Sequence, residues 1–207
     1  LNIHRDEIRL FLWSALLMFL IRSSAAYFNN YAETAFLKRF GVEYLPVVYM
    51  LNSVVTFVVM GMLTGLLTAI PGARLLGRLL FFSGFSVAGL RLLIPMGIDL
   101  LYPVLFMLKA QYEILLGLLF WNMANDLFNT RQSKRLFPLI TAGGVVGQIL
   151  GSFATPLVAR WLHLDNLLLL YMITALAGAW AVQAMGRRYP TLLFQQKKEG
   201  ETKKRSS

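Results

Sequence analysis

The chain has 207 residues, 57% of them hydrophobic and only 14% charged, with a mean hydropathy of +0.60. A soluble domain averages roughly 25% charged residues, so this balance points to lipid as the main solvent. The absence of cysteine excludes disulfides and thiolate-ligated metals. With His4 and His163 isolated from each other, no metal site and no other cofactor is expected. The formal net charge is +10, yet the cations fall mostly between apolar stretches and at the C-terminus. That is a membrane-topology pattern, so no nucleic-acid partner is expected.

About 20 largely apolar residues span a bilayer core as a helix. Six stretches qualify, at 9–33, 45–70, 76–97, 100–126, 136–160 and 165–186. The first is too long for a signal-peptide core and reads as a retained transmembrane helix. Pro46 and Pro138 are expected in the first turns of the second and fifth helices, where a missing N–H is harmless. Ile70-Pro71-Gly72 and Tyr189-Pro190 read as stops. Helices satisfy their own backbone hydrogen bonds, which an open sheet in lipid does not. The predicted fold is therefore all-α, a six-helix transmembrane domain over 1–190 followed by a basic polar tail over 191–207.

Orientation follows from the cations. One side collects Arg5, Arg9, Arg74, Arg78, Arg131, Lys134, Arg135, Arg187, Arg188 and the tail, while Lys38, Arg39, Arg91 and Arg160 fall on the other. The positive-inside rule then places both termini in the cytoplasm. The expected location is a bacterial inner membrane, with the lipid bilayer as first partner.

An internal repeat is visible. Ala32-x-x-x-Phe36 and then Pro46 recur as Ala124-x-x-x-Phe128 and then Pro138 at one constant offset. Three helices is an odd number, so the two halves would be inverted. Inverted three-helix repeats build each six-helix half of many secondary transporters.

Charges inside the spans single out candidate residues. Arg22 lies deep in the first helix, and its face continues through Asn29 and Glu33. Lys109 and Glu113 are one turn apart in the fourth helix, a spacing that allows an intrahelical pair. Arg22 and the Lys109/Glu113 pair are expected at similar depth, in the half away from the cytoplasm. Such residues usually mark substrate or ion sites, and Arg offers a bidentate fork to phosphate or carboxylate. A purely structural ion cluster is the competing reading.

Nearer the cytoplasm, Asp126 has Arg131, Lys134 and Arg135 as prospective partners across a short basic loop, either as a gate latch or as a satisfied helix end. Gly143, Gly147 and Gly151 recur every four residues in the fifth helix, as Gly61 and Gly65 do in the second. This small-xxx-small spacing lets helix backbones approach closely in lipid.

Phe120-Trp121-x-x-Ala124-Asn125-Asp126-Leu127-Phe128, followed by Arg131-Gln132-Ser133-Lys134-Arg135-Leu136-Phe137-Pro138-Leu139, resembles the major facilitator superfamily. More narrowly, it is similar to the nucleotide (ATP/ADP) translocases of plastids and intracellular bacteria and to their bacterial relatives. The resemblance implies the N-terminal half of a twelve-helix transporter, with helices one and four lining a central cavity. It implies a basic residue in helix one, matched by Arg22, and an acidic residue in helix four, for which Glu113 is the nearest candidate. The register of Glu113 departs from the family's, and Lys109 has no counterpart there.

Two functions remain in view. One is a half-module of a secondary transporter for an anionic metabolite, a nucleotide or another phosphorylated compound. A second six-helix unit, either another membrane chain or a second copy, would complete it. The other is a membrane scaffold or anchor subunit that keeps the fold and transports nothing. No nucleophile–base pair or paired carboxylates appear, so an enzyme is not expected.

Overall fold

The computed structural model describes residues 5–189. The helices are α1 (Arg5–Phe40), α2 (Leu45–Ala69), α3 (Gly72–Leu93), α4 (Leu101–Leu127), α5 (Thr130–Trp161) and α6 (Asn166–Arg188). No strand occurs among the described residues. All six helices are long and apolar enough to cross a membrane, as the sequence predicts. The tail over 191–207 lies outside the described residues.

Helix ends are set by backbone chemistry and only loosely by polarity. The first helix runs past Glu33 and the Lys38-Arg39 pair to Phe40, well beyond the expected end at 33. It stops where Gly41 adopts φ 81°, a conformation that L side chains rarely accept. A second such glycine, Gly97 at φ 69°, closes the short 3-10 turn Ile94–Met96 that follows α3. Pro46 sits in the first turn of α2 as expected.

The largest departure is at the start of α5. The basic segment is helical and not a loop, because Asn129 forms a capping box with Gln132. The Asn129 side chain accepts from the Gln132 N–H at 3.4 Å, and the Gln132 side chain accepts from the Asn129 N–H at 3.1 Å. Reciprocal capping satisfies two otherwise orphaned donors. Arg131, Lys134 and Arg135 therefore lie on the first turns of α5, and Pro138 falls inside the helix, not in its first turn.

The helices alternate in direction. At the N-terminal side, Glu7 of α1 accepts from Gln132 at 2.7 Å and lies 3.5 Å from Arg135. At the far side, Arg39 meets Asp99 at 2.6 Å and Arg91 donates to the Asn166 side chain at 2.6 Å. The packing has the symmetry of an inverted repeat. Exchanging α1–α3 for α4–α6 leaves the α1/α4 and α3/α6 contacts in place, swaps α1/α6 with α3/α4, and swaps α1/α5 with α2/α4. The offset that carries Ala32 to Ala124 also carries Ile21 onto Glu113 and Arg22 onto Ile114.

Behind the α1/α4 pair, α3 and α6 close the core around Phe28, Tyr31, Leu80, Leu105 and Tyr171, all at most 1% exposed. In front, α5 flanks α1 and α2 flanks α4. The two flanks differ. Along α1, α5 packs extensively, whereas α2 touches α4 at a few points. One of these is a polar clasp in which the Gln111 side-chain amide donates to Asn52 and Thr56 at 2.8 Å each.

The α5 glycines explain the tight flank. A Cβ on Gly147 would collide with the Phe19 carbonyl oxygen and stand 3.0 Å from Ser23 Oγ. On Gly151 it would reach Ala26 Cβ at 2.9 Å, and on Gly143 the Ala15 carbonyl oxygen at 3.3 Å. Ser23 uses this proximity to donate to the Gly147 carbonyl at 3.0 Å. Gly61 and Gly65 differ from this, contrary to their spacing. A Cβ on either meets nothing within 4 Å, because both lie on the face of α2 turned away from α4.

Candidate functional site

Arg22 stands near the midpoint of α1, and Glu113 near the midpoint of α4. The continuation of α1 to Phe40, beyond the expected end at 33, offsets its earlier start and keeps Arg22 central. Arg22 Nη1 donates to Glu113 Oε1 at 3.0 Å. The second oxygen of Glu113 accepts from Asn29 Nδ2 at 2.8 Å. Towards the far side, Lys109 Nζ contacts Glu33 Oε1 at 2.5 Å and lies over the Phe106 ring, 4.1 Å from its centroid.

The five site candidates Arg22, Asn29, Glu33, Lys109 and Glu113 thus line one α1/α4 seam, but not with an intrahelical Lys109–Glu113 pair. Both ion pairs run between α1 and α4 and bridge the two repeats. The physical reason is exposure and reach. Glu113 turns to the cleft, where Arg22 and Asn29 each offer it a donor. Lys109 turns inward, with 7% of its side chain exposed, and extends to Glu33. A buried ammonium with both an ion pair and an aromatic face is far better compensated than one along its own helix.

The cluster carries two cations and two carboxylates, so its formal charge is balanced. It is not sealed. The side chains of Arg22 and Glu113 are 37% and 35% exposed, and that of Glu33 is 52% exposed. A cavity of about 90 Å³ leads inward from it between α1 and α4. Its polar groups are Arg22, Ser24, Lys109, Tyr112, Glu113 and the buried hydroxyl of Tyr171, and Met18, Phe28, Leu116 and Trp121 make up much of the rest.

The α5 glycines shape this site from the side. Gly144 packs on Arg22 itself, where a Cβ would stand 3.1 Å from Arg22 Cγ and 2.9 Å from Met18 Cγ. Close packing thus fixes the stem of the arginine while its guanidinium stays in the cleft.

The other polar candidates stand apart, at the N-terminal side. Asp126 makes no ion pair with Arg131, Lys134 or Arg135 among the described residues. Arg135 instead lies against Glu7 of α1, which the capping box brings within reach by starting α5 early. Glu7, Ser23, Phe106 and the Asn52–Thr56–Gln111 clasp are contributions that the sequence reading missed. The clasp had a legible signal, since Asn52 and Thr56 are one turn apart in an apolar helix.

Neither the curated proteins nor the solved structures yielded a match to this chain. Residues 82–177, from within α3 to within α6, match the family model described as TLC ATP/ADP transporter. The matched span contains Lys109, Glu113 and the α5 glycines, and α1 with Arg22 lies outside it. Over α4, α5 and their flanks, this integral membrane chain is similar to a family of nucleotide transporters.

Proposed function

We propose that the chain forms half of a secondary transporter for an anionic metabolite, a nucleotide or another phosphorylated compound, with the α1/α4 cleft as its binding site. The observation that carries this reading is the outward exposure of a charged cluster halfway along two membrane-length helices. A single charge at the bilayer centre costs at least about 2.5–3.5 kcal/mol on insertion scales. Arg22, Glu113 and Glu33 therefore face water and protein, not lipid. A second six-helix unit, in the same polypeptide or another, covers the cleft and leaves an aqueous path along it. The similarity of residues 82–177 to ATP/ADP transporters supports the anion. The half takes the major-facilitator-type arrangement, in a bacterial inner membrane with both termini cytoplasmic.

Arg22 binds the anion with its guanidinium fork, Lys109 adds a second positive charge, and Glu113 holds Arg22 when the site is empty. The inward cavity takes a phosphate-sized group, and a base or sugar occupies the wider cleft. Alternating access then needs only that the two units rock about the cleft. Asp126, Arg131, Lys134 and Arg135 serve the cytoplasmic end, where α5 latches to α1.

In proteoliposomes, uptake of labelled ATP, ADP or inorganic phosphate should fall roughly tenfold or more in Arg22→Ala, the loss expected for a hydrogen bond to a charged group. Unchanged uptake would assign the arginine to structure. One observation favours a second reading: each cation already has its own carboxylate, as a non-transporting scaffold would require. Under that reading Arg22→Ala weakens the fold and no substrate moves in the parent protein.

A further inference from the structure

Resting on the anion-binding reading above, we propose that Tyr171 reads the phosphate end of the bound anion, donating its phenolic hydrogen to a terminal phosphoryl oxygen in the α1/α4 cavity. The starting point is an orphaned donor. Tyr171, on α6, is 1% exposed, and its hydroxyl has no hydrogen-bond partner among the described residues. Buried polar groups left unpaired are uncommon in native interiors, because each one costs the fold its full desolvation penalty. This one lines the cavity that leads inward from Arg22 and Glu113.

The other hydroxyls in reach are already engaged. Ser83 donates to the Leu80 carbonyl at 3.1 Å, and Ser24 donates to the Ile21 carbonyl at 2.8 Å. Tyr112 and Ser86 share a hydrogen bond of 2.7 Å. Among the hydroxyls that line the cavity, Tyr171 alone brings an uncommitted hydrogen. Its ring is also held in place, packed against Phe28 with the centroids 5.1 Å apart.

The chemistry of the cavity selects what ends there. A fully ionised terminal phosphoryl group presents acceptor oxygens on every side and no hydrogens, so it matches a lone donor. A base or a ribose presents donors as well, and walls of Met18, Phe28 and Leu116 would leave those donors unpaired. Arg22 and Lys109 line the same cavity. The phosphoryl charge is thus met by cations, and the oxygen nearest α6 by the neutral hydroxyl. Tyr171 thereby makes the free phosphate end, and not the nucleoside, the part of the ligand that the cavity recognises.

The test compares Tyr171→Phe with the parent protein, as full chains in nanodiscs, and reads binding and melting separately. ATP and inorganic triphosphate are the probes, the second carrying the phosphates without base or sugar. Both should bind the variant about tenfold or more weakly, the loss expected for one hydrogen bond to a charged group. Without ligand, the variant should melt at the same temperature as the parent or higher, because the substitution removes only an unpaired hydroxyl. A hydroxyl that served structure, through Ser83 or an enclosed water, would give a lower melting temperature with unchanged affinity, and that result would overturn the proposal. A loss confined to ATP would overturn it too, because the base would then occupy the cavity. Either outcome leaves the anion site on Arg22 standing. Failure of the parent protein to bind ATP and triphosphate would remove the anion site and the role of Tyr171 together.

Discussion

Gly147→Leu should lower the thermal melting temperature of the detergent-solubilised protein by roughly 3–10 °C, whereas Gly61→Leu should leave it unchanged. The two glycines look alike in sequence, each belonging to a small-xxx-small repeat on an apolar helix. Their surroundings are opposite. A side chain at 147 runs into the Phe19 carbonyl and Ser23 Oγ, and backbone cannot move aside as a flexible side chain can. Separating α1 from α5 also loses the bond from Ser23 to the Gly147 carbonyl, worth about 0.6 kcal/mol on average between membrane helices. Overpacking a tight contact costs about 1–3 kcal/mol, and each kcal/mol moves the melting point of a chain this size by about 2–4 °C. At position 61 a Cβ meets nothing within 4 Å. Circular dichroism melts of both variants make the comparison.

The second large effect concerns Lys109. Removing its partner by Glu33→Ala leaves an ammonium only 7% exposed with no carboxylate in contact. Breaking a buried pair from one side costs about 3–5 kcal/mol. Glu33 itself is half-exposed, which reduces the expected loss to roughly 1–3 kcal/mol. Removing both charges, as Lys109→Met with Glu33→Gln, should recover most of that stability, because the buried charge is then gone. The same double variant should lose anion binding. Recovered stability with lost binding marks a pair retained for function. If the double variant melts below Glu33→Ala, the hydrocarbon stem of Lys109 and its contact with Phe106 matter more than the charge.

The sequence made the six helices legible because apolar length alone determines spanning segments. It misplaced the ends of α1 and α5 for a common reason. Polarity was read as a stop at Glu33 and as a loop at Arg131–Arg135, whereas a helix ends where its backbone changes conformation. The true signals were present, in Gly41 and in the Asn129-x-x-Gln132 capping box. The five charged and amide residues of the cleft were legible as a group, since an intramembrane charge is conspicuous. Their pairing was not. Choosing between Lys109–Glu113 on one helix and two bridges between helices requires the rotation of each helix about its axis, which spacing along one chain does not fix. The same ignorance of rotation concealed the difference between the α2 and α5 glycines.

Arg22 joins the two repeats, the α5 packing and the proposed anion site, so the location of bound nucleotide is the decisive quantity. The membrane-embedded protein should be photolabelled with an azido derivative of ATP and the modified peptides mapped. Labelling of the α1 and α4 segments around Arg22, Tyr112, Glu113 and Trp121, suppressed by excess ATP and by Arg22→Ala, is the predicted result. Labelling confined to the cations at the start of α5, and indifferent to Arg22→Ala, would contradict it.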